Sequence, residues 1–234
     1  MSKVTKAMFW KEYKVFVKST VAMVVFYTAA VTGLMYYLLK QMSDSNLINM
    51  NIVTIFLFLY IIIMMAVNGG VISSFSMGAD NREGILNSLI GTTNKASELW
   101  LGQFLFCSVC PLLLAFIGSV GLSVVLKVVL NFSVQFDMKA ILLWFIIAPA
   151  IGMLYNALNL FLVWVIRYQA FALLPGMVLP LGLMFLMLKF SEKIAMWNIS
   201  IWVALLIGVI SVILTLLFAK LIDIIPKQNY VCKV

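Results

Sequence analysis

The fold class that the sequence predicts is an all-α integral membrane protein. It has six transmembrane helices, an amphipathic helix ahead of the first and a short charged helix between the second and third. Three observations predict it. Only 10% of the residues are charged and the mean hydropathy is +1.13, whereas a soluble domain carries roughly a quarter charged residues. Apolar runs of the ~20 residues that a helical bilayer crossing needs recur along the whole chain. The cations are shared unevenly among the segments between those runs, in the sense of the positive-inside rule.

Residues 3–18 read as an elbow helix lying on the membrane surface, with Lys3, Lys11, Lys14 and Lys18 to one side and Phe9, Tyr13 and Phe16 to the other. Span one covers 21–39, and a polar loop follows over 40–51. Span two covers 52–75 and carries Asn68-Gly69-Gly70, where adjacent glycines let another helix approach closely. Span three, 99–126, holds Pro111, which removes a helix hydrogen bond and kinks the chain. Span four, 140–165, holds Pro149 and the amides Asn156 and Asn159, three residues apart and so on one face. In hydrocarbon those amides need polar partners, either on neighbouring helices or along a translocation path, and Asn68 is open to the same two readings. Span five, 170–188, is broken by Pro175-Gly176 and Pro180, and span six, 199–222, ends before Pro226.

Between spans two and three lies the longest polar interval in the chain. Asp80 is placed to cap a helix over 80–90 with Glu83 reaching back three residues later. Ile85, Leu86, Leu89 and Ile90 give that helix one apolar stripe, Gly91 a stop, and Glu98 falls in the first turn of the next helix. With both termini inside, Lys3, Lys6, Lys11, Lys14, Lys18, Arg82, Lys95, Arg167, Lys220, Lys227 and Lys233 share the cytoplasmic side. Only Lys40, Lys127, Lys139, Lys189 and Lys193 fall outside.

Arg82-Glu83-Gly84-x-Leu86-x-x-Leu89, with Thr92, Glu98 and Gly102, resembles the cytoplasmic signature of type-2 ABC transporter permeases. The sequence departs from that pattern at Ile85, Thr93 and Gln103, where the family often has Thr, Pro and Lys. The motif covers about a tenth of the chain, while the resemblance in span layout covers nearly all of it. The resemblance implies a single permease domain over 1–234, in which the 80–90 helix is a coupling helix that docks on ATPase subunits. Asp80, Arg82, Glu83, Gly84, Ile85, Leu86 and Leu89 would form that dock, and Glu98 would stand where span three begins. It also implies two ABC ATPase subunits and a second six-span permease, identical or related, as partners in the lipid bilayer. The location implied is a bacterial or archaeal cell membrane, with both termini cytoplasmic.

The missing residue types narrow the chemistry. There is no histidine, and no G-x-x-x-x-G-K-[ST] sequence, so nothing here suggests a Ser-His catalytic set or a P-loop. No catalytic, cofactor or metal residues are expected on this chain; ATP and Mg would sit on the partner ATPase. Cys107 and Cys110 form a C-x-x-C within an apolar helix and read as a packing pair. The acids read as lying at span ends or in loops, which argues against an ion-coupled carrier with a mid-membrane carboxylate. The cations are scattered over span ends, which gives no basis for nucleic-acid binding. The first functional expectation is therefore an exporter permease for an amphipathic or apolar cargo such as a peptide, antimicrobial, drug or lipid. The alternatives are a six-span substrate-binding module of an importer, a sodium-extruding permease of the same family and, weakest, a membrane-embedded enzyme.

Overall fold

The computed structural model describes residues 2–44, 50–83, 95–129, 137–165, 182 and 200–224, with side chains in the second helix described from 52 to 76. Almost all of them are helical. Five helices are long and apolar enough to cross a membrane: α1 (Lys3–Asp44), α2 (Met50–Glu83), α3 (Ala96–Val129), α4 (Met138–Val165) and α5 (Ile201–Ile224). They fall where spans one, two, three, four and six are expected. The stretch expected as span five, 170–188, lies outside the described residues apart from Gly182.

The second helix is the axis of the bundle. From Ile52 to Ser76 nearly every side chain is buried, because α1, α3 and α4 enclose α2. Its core includes Leu57, Ile61, Met64 and Met65, packed with Met35 and Leu39 of α1, Leu122 of α3 and Trp144 of α4. By contrast α5 buries only Ala204, Ser211, Thr215, Ala219 and Ile222, a narrow stripe of mostly small residues laid on α3 and α4.

Cross-helix pairs set the directions. Thr28 and Thr32 of α1 meet Asn68 and Tyr60 of α2, so those two helices are antiparallel. Ser76 and Tyr60 of α2 meet Gln103 and Gly118 of α3, again antiparallel. Asn159, Gly152 and Trp144 of α4 meet Ser73, Met65 and Thr54 of α2, so α4 runs parallel to α2. Ser97 at the start of α3 meets Asp223 at the end of α5, and Ser211 meets Ala150; α5 is therefore parallel to α4. The first residues of α1 and α3 and the last of α2, α4 and α5 consequently share one end, called the near end below.

Three expectations are revised. A detached elbow helix is not found: α1 is helical without a break, through a π-helical segment at Phe16–Thr20 where Ser19 Oγ donates to the Val15 carbonyl. Its buried residues before that segment are Thr5, Met8 and Glu12, so Lys11 and Glu12 face protein and Tyr13 faces out, unlike the expected division. The first part crosses α3 obliquely. Met8 meets Gly102, whereas Phe9 and Phe16 both stack edge-on against Phe106. The π turn takes about one residue more than an α turn, returning some 100° of the ~120° that would separate Glu12 from Val24 around a regular helix. Both residues therefore face inward.

Span two is also longer than expected. Its helix continues through Asp80, Asn81, Arg82 and Glu83, and a helical backbone there excludes the non-helical N-cap geometry expected of Asp80. Gly84 to Ile90, including Ile85, Leu86 and Leu89, lies outside the described residues. Finally, α4 holds a π-helical segment at Leu143–Ile147 directly before Pro149, where the proline has no N–H for the carbonyl four residues back and its ring crowds it.

Candidate functional site

The α2 helix is apolar up to Val67, and polar side chains then face its neighbours on successive turns. Asn68, Ser73 and Ser76 of α2, Gln103 and Ser108 of α3, and Asn156 and Asn159 of α4 are all buried, none more than 2% exposed. In hydrocarbon such groups are tolerated only when they satisfy one another across helices.

The first contact at this seam originates in a proline. Pro111 has no N–H, so the Cys107 carbonyl loses its donor within α3. Asn156 Nδ2 donates to that carbonyl at 3.0 Å. The amide reaches it because position 69 is glycine: a Cβ built there would lie 2.6 Å from Asn156 Cγ and 2.7 Å from Nδ2. One turn on, Asn159 Nδ2 donates to Ser73 Oγ (3.1 Å), whose own proton goes to the Gly70 carbonyl (3.0 Å). Lower still, Gln103 joins three helices, its Nε2 donating to Ser76 Oγ (3.0 Å) while its Oε1 accepts from Trp164 Nε1 (2.8 Å). Towards α1, Asn68 Nδ2 donates to Thr28 Oγ1 at 3.1 Å. Thr32 gives its proton to the Thr28 carbonyl (2.7 Å), so Tyr60 is the donor in the 2.9 Å contact with Thr32.

Several polar atoms of the seam are left over. Asn68 Oδ1, Asn156 Oδ1, Asn159 Oδ1 and Ser108 Oγ find no hydrogen-bond partner among the described residues. Where the polar groups meet, the contacts between α2 and α4 include Met65, Gly69 and Ser73 against Gly152, Asn156 and Asn159. Both faces are small or unbranched, so the backbones approach closely.

A second polar cluster ties the near end together. Asp223 accepts from the Ser97 backbone N–H (2.8 Å) and hydroxyl (2.6 Å), capping the first turn of α3 with a carboxylate from α5. Glu98 Oε2 accepts from Ser2 Oγ at 2.8 Å, and Ser2 in turn caps α1 through the Thr5 N–H. A groove of about 550 Å³ opens beside this cluster, lined by Ser2, Thr5, Glu98, Leu105, Met153 and Thr215 among others. Above it Glu12 is buried, with Lys11 Nζ 3.3 Å from its Oε1.

The structure thus brings Asn68, Asn156 and Asn159 to one seam and puts Glu98 in the near-end cluster. Asp80, Arg82 and Glu83 end α2, and their side chains, with Gly84, Ile85, Leu86 and Leu89, lie outside what is described. Sequence reasoning missed Gln103, Ser73, Ser76 and Trp164. A polar residue inside each apolar run was the available signal, and Gln103 drew notice only as a departure from a motif. It also read Glu12 as a peripheral acid, although the structure buries it under α1. Among the described residues no group of three His, Cys, Asp or Glu side chains could hold a metal ion, and Cys107 and Cys110 are free thiols. No family model, curated protein or solved structure matches the chain.

Proposed function

We propose that the chain is the membrane-spanning permease subunit of an ATP-driven exporter of the type-2 ABC class, carrying an amphipathic or apolar cargo and powered by separate ATPase subunits. The observation that carries this reading is the placement of the signature stretch. It joins the end of α2, the most enclosed helix, to the start of α3, at the end where the N-terminus and the Asp223 cap also lie. A push on the 80–90 region would pass into the helix that α1, α3 and α4 enclose. The same end holds Lys3, Lys6, Arg82, Lys95 and Lys220, and the opposite one Lys40, Lys127 and Lys139, which supports a cytoplasmic near end. The parallel run of α4 and α5 supports the six-span count, because the chain must change ends between Val165 and Ser200, where the sequence expects its fifth span. The broad apolar faces of α1 and α5 leave area for lipid and for a second permease.

The test is co-purification in mild detergent. The wild-type chain should bring down a soluble protein with Walker sequences. Leu86→Ala with Glu83→Lys should lose it while membrane insertion stays intact, and Glu83→Lys alone should lower transport-coupled ATP hydrolysis. Recovery of the chain alone, under conditions that hold other ABC complexes together, would refute the reading.

A further inference from the structure

At the end opposite the N-terminus a second groove, of about 440 Å³, runs between α2, α3 and the π-helical part of α4. Its walls are Leu57 and Ile61 of α2, Val120 and Val124 of α3, and the aromatic rings of Phe116, Trp144 and Phe145. Phe116 and Phe145 stack with centroids 5.3 Å apart, and Trp144 is held by its Nε1–H donating to the Thr54 carbonyl at 2.9 Å. Ser119 and Ser123 line it too, but their protons are committed to the Phe116 and Ser119 carbonyls. Lys127 is the single charged residue in the lining.

Two lengths identify what fits. From Glu98 to Lys127 the helix rises about 44 Å at 1.5 Å per residue, the full thickness of a bilayer with its headgroups. Lys127 therefore stands at headgroup level when the near-end cluster does. From Lys127 down to Phe116 is about 16 Å, which crosses the ~7 Å headgroup layer and about 9 Å of the leaflet's ~15 Å of hydrocarbon. The groove begins at a cation among the headgroups, stays apolar, and ends within one leaflet, about two-thirds of the way from the core's edge to the midplane, a length suited to the upper part of one acyl chain.

Charge selects among lipids. Lys127 makes no ion pair among the described residues. Of the acids described at this end, Asp137 is occupied by the Ala140 N–H at 2.7 Å, and Asp44 does not line the groove. Lys40 and Lys139 share the same end, so a second copy aligned in the same sense would bring like charge. We propose that this groove is a binding site for an anionic phospholipid, with one acyl chain against Ile61, Val120 and Phe145 and the phosphate on Lys127. This site stands apart from the transport reading and holds whether or not an ATPase docks at the other end.

Native mass spectrometry of the whole chain in mild detergent tests it, with phosphatidylglycerol and phosphatidylcholine of the same chains offered in equal amounts. Phosphatidylglycerol should be retained preferentially. Lys127→Gln should reduce that preference about fivefold, the worth of one cation near an anionic surface, while Lys40→Gln, a charge change outside the groove, should leave it unchanged. A diazirine in the acyl chain should label the 116–124 stretch of α3 on illumination, and Ser123→Phe, which fills the groove without touching the charge, should abolish the label. Equal retention of both lipids, an unchanged preference in Lys127→Gln, or labelling confined to other helices would overturn the assignment. Displacement of the lipid by glycerol phosphate at similar concentration would also overturn it, since the site would then be one for free anions.

Discussion

The contact between Asn156 and the Cys107 carbonyl exists because Pro111 leaves that carbonyl without a helix donor, and the dependence can be measured. Asn156→Ala removes the donor, strands the carbonyl in hydrocarbon and leaves a small void over Gly69. Cross-helix bonds in membranes average ~0.6 kcal/mol and reach ~1.7, and an orphaned buried acceptor costs about 1–3 kcal/mol, so a loss of about 2 kcal/mol is expected. Pro111→Ala restores a backbone N–H four residues after Cys107. In that background the carbonyl has its own helix partner, and the same Asn156→Ala substitution should cost about 1 kcal/mol less. The remainder is the void, which the proline does not affect. The assay is reversible unfolding in mixed micelles, with alkylation of the buried Cys107 as a local readout of opening. Equal costs in both backgrounds would refute the link between proline and amide and leave Asn156 as packing alone.

Further outcomes follow from the same geometry. Gly69→Ala should destabilise by about 1–3 kcal/mol, the usual cost of overpacking, and should turn neutral or better when Asn156 is also alanine; micelle unfolding of the pair checks it. Gln103→Leu should lose about 1–2 kcal/mol and shift Trp164 fluorescence, because the indole N–H loses its acceptor. Asp223→Ala should lower stability by about 1 kcal/mol, as for other helix caps; its exposed bonds predict that high salt narrows the gap to wild type in thermal unfolding. Lys11→Met should cost about 2 kcal/mol, less than a fully buried pair because its side chain is 20% exposed, whereas Lys14→Met, at an exposed site, should change the melting temperature little.

The helices were legible where a single physical demand dominates. A run of ~20 apolar residues has few uses besides a span, so five of the expected spans coincide with the five long helices. That α2 is the enclosed one was not legible, since α5 is more apolar still and yet lies mostly exposed. Local rules failed where the backbone had two acceptable answers. Asp80 and Glu83 satisfy a capping pattern, yet nothing between Ser76 and Glu83 forces a helix to stop, and it does not. The π turn of α1 depends on a hydrogen-bond shift around Ser19 that no residue type announces. Pro111 and Asn156 were each visible as members of their own span, but their pairing depends on a register between helices 45 positions apart, which packing at Gly69 and Gly152 sets. Glu12 was misread for a related reason: whether a carboxylate is peripheral depends on what crosses it, and here the start of α3 does.

The seam between α2 and α4 also bears on the proposed transport cycle. Its contacts include glycines, a methionine and amides with spare acceptor oxygens, small or flexible groups that hold register less firmly than branched knobs. If α2 carries motion from the 80–90 region, this is the interface along which it slides. A Cβ built on Gly152 lies 2.9 Å from Met65 Cβ, inside the ~3.8 Å separation that a disulfide takes, so the two helices must part slightly to accept the bond. Met65→Cys with Gly152→Cys, in a chain whose three native cysteines are alanine, should form a disulfide with that small parting of the helices. On the proposed reading oxidation should abolish transport-coupled ATP hydrolysis, and reductant should restore it, with Met65→Cys alone unaffected. Full activity in the cross-linked protein would show that α2 and α4 move as one body. The sliding surface would then have to be sought between α2 and α1, where Asn68 and Tyr60 make polar contacts to Thr28 and Thr32.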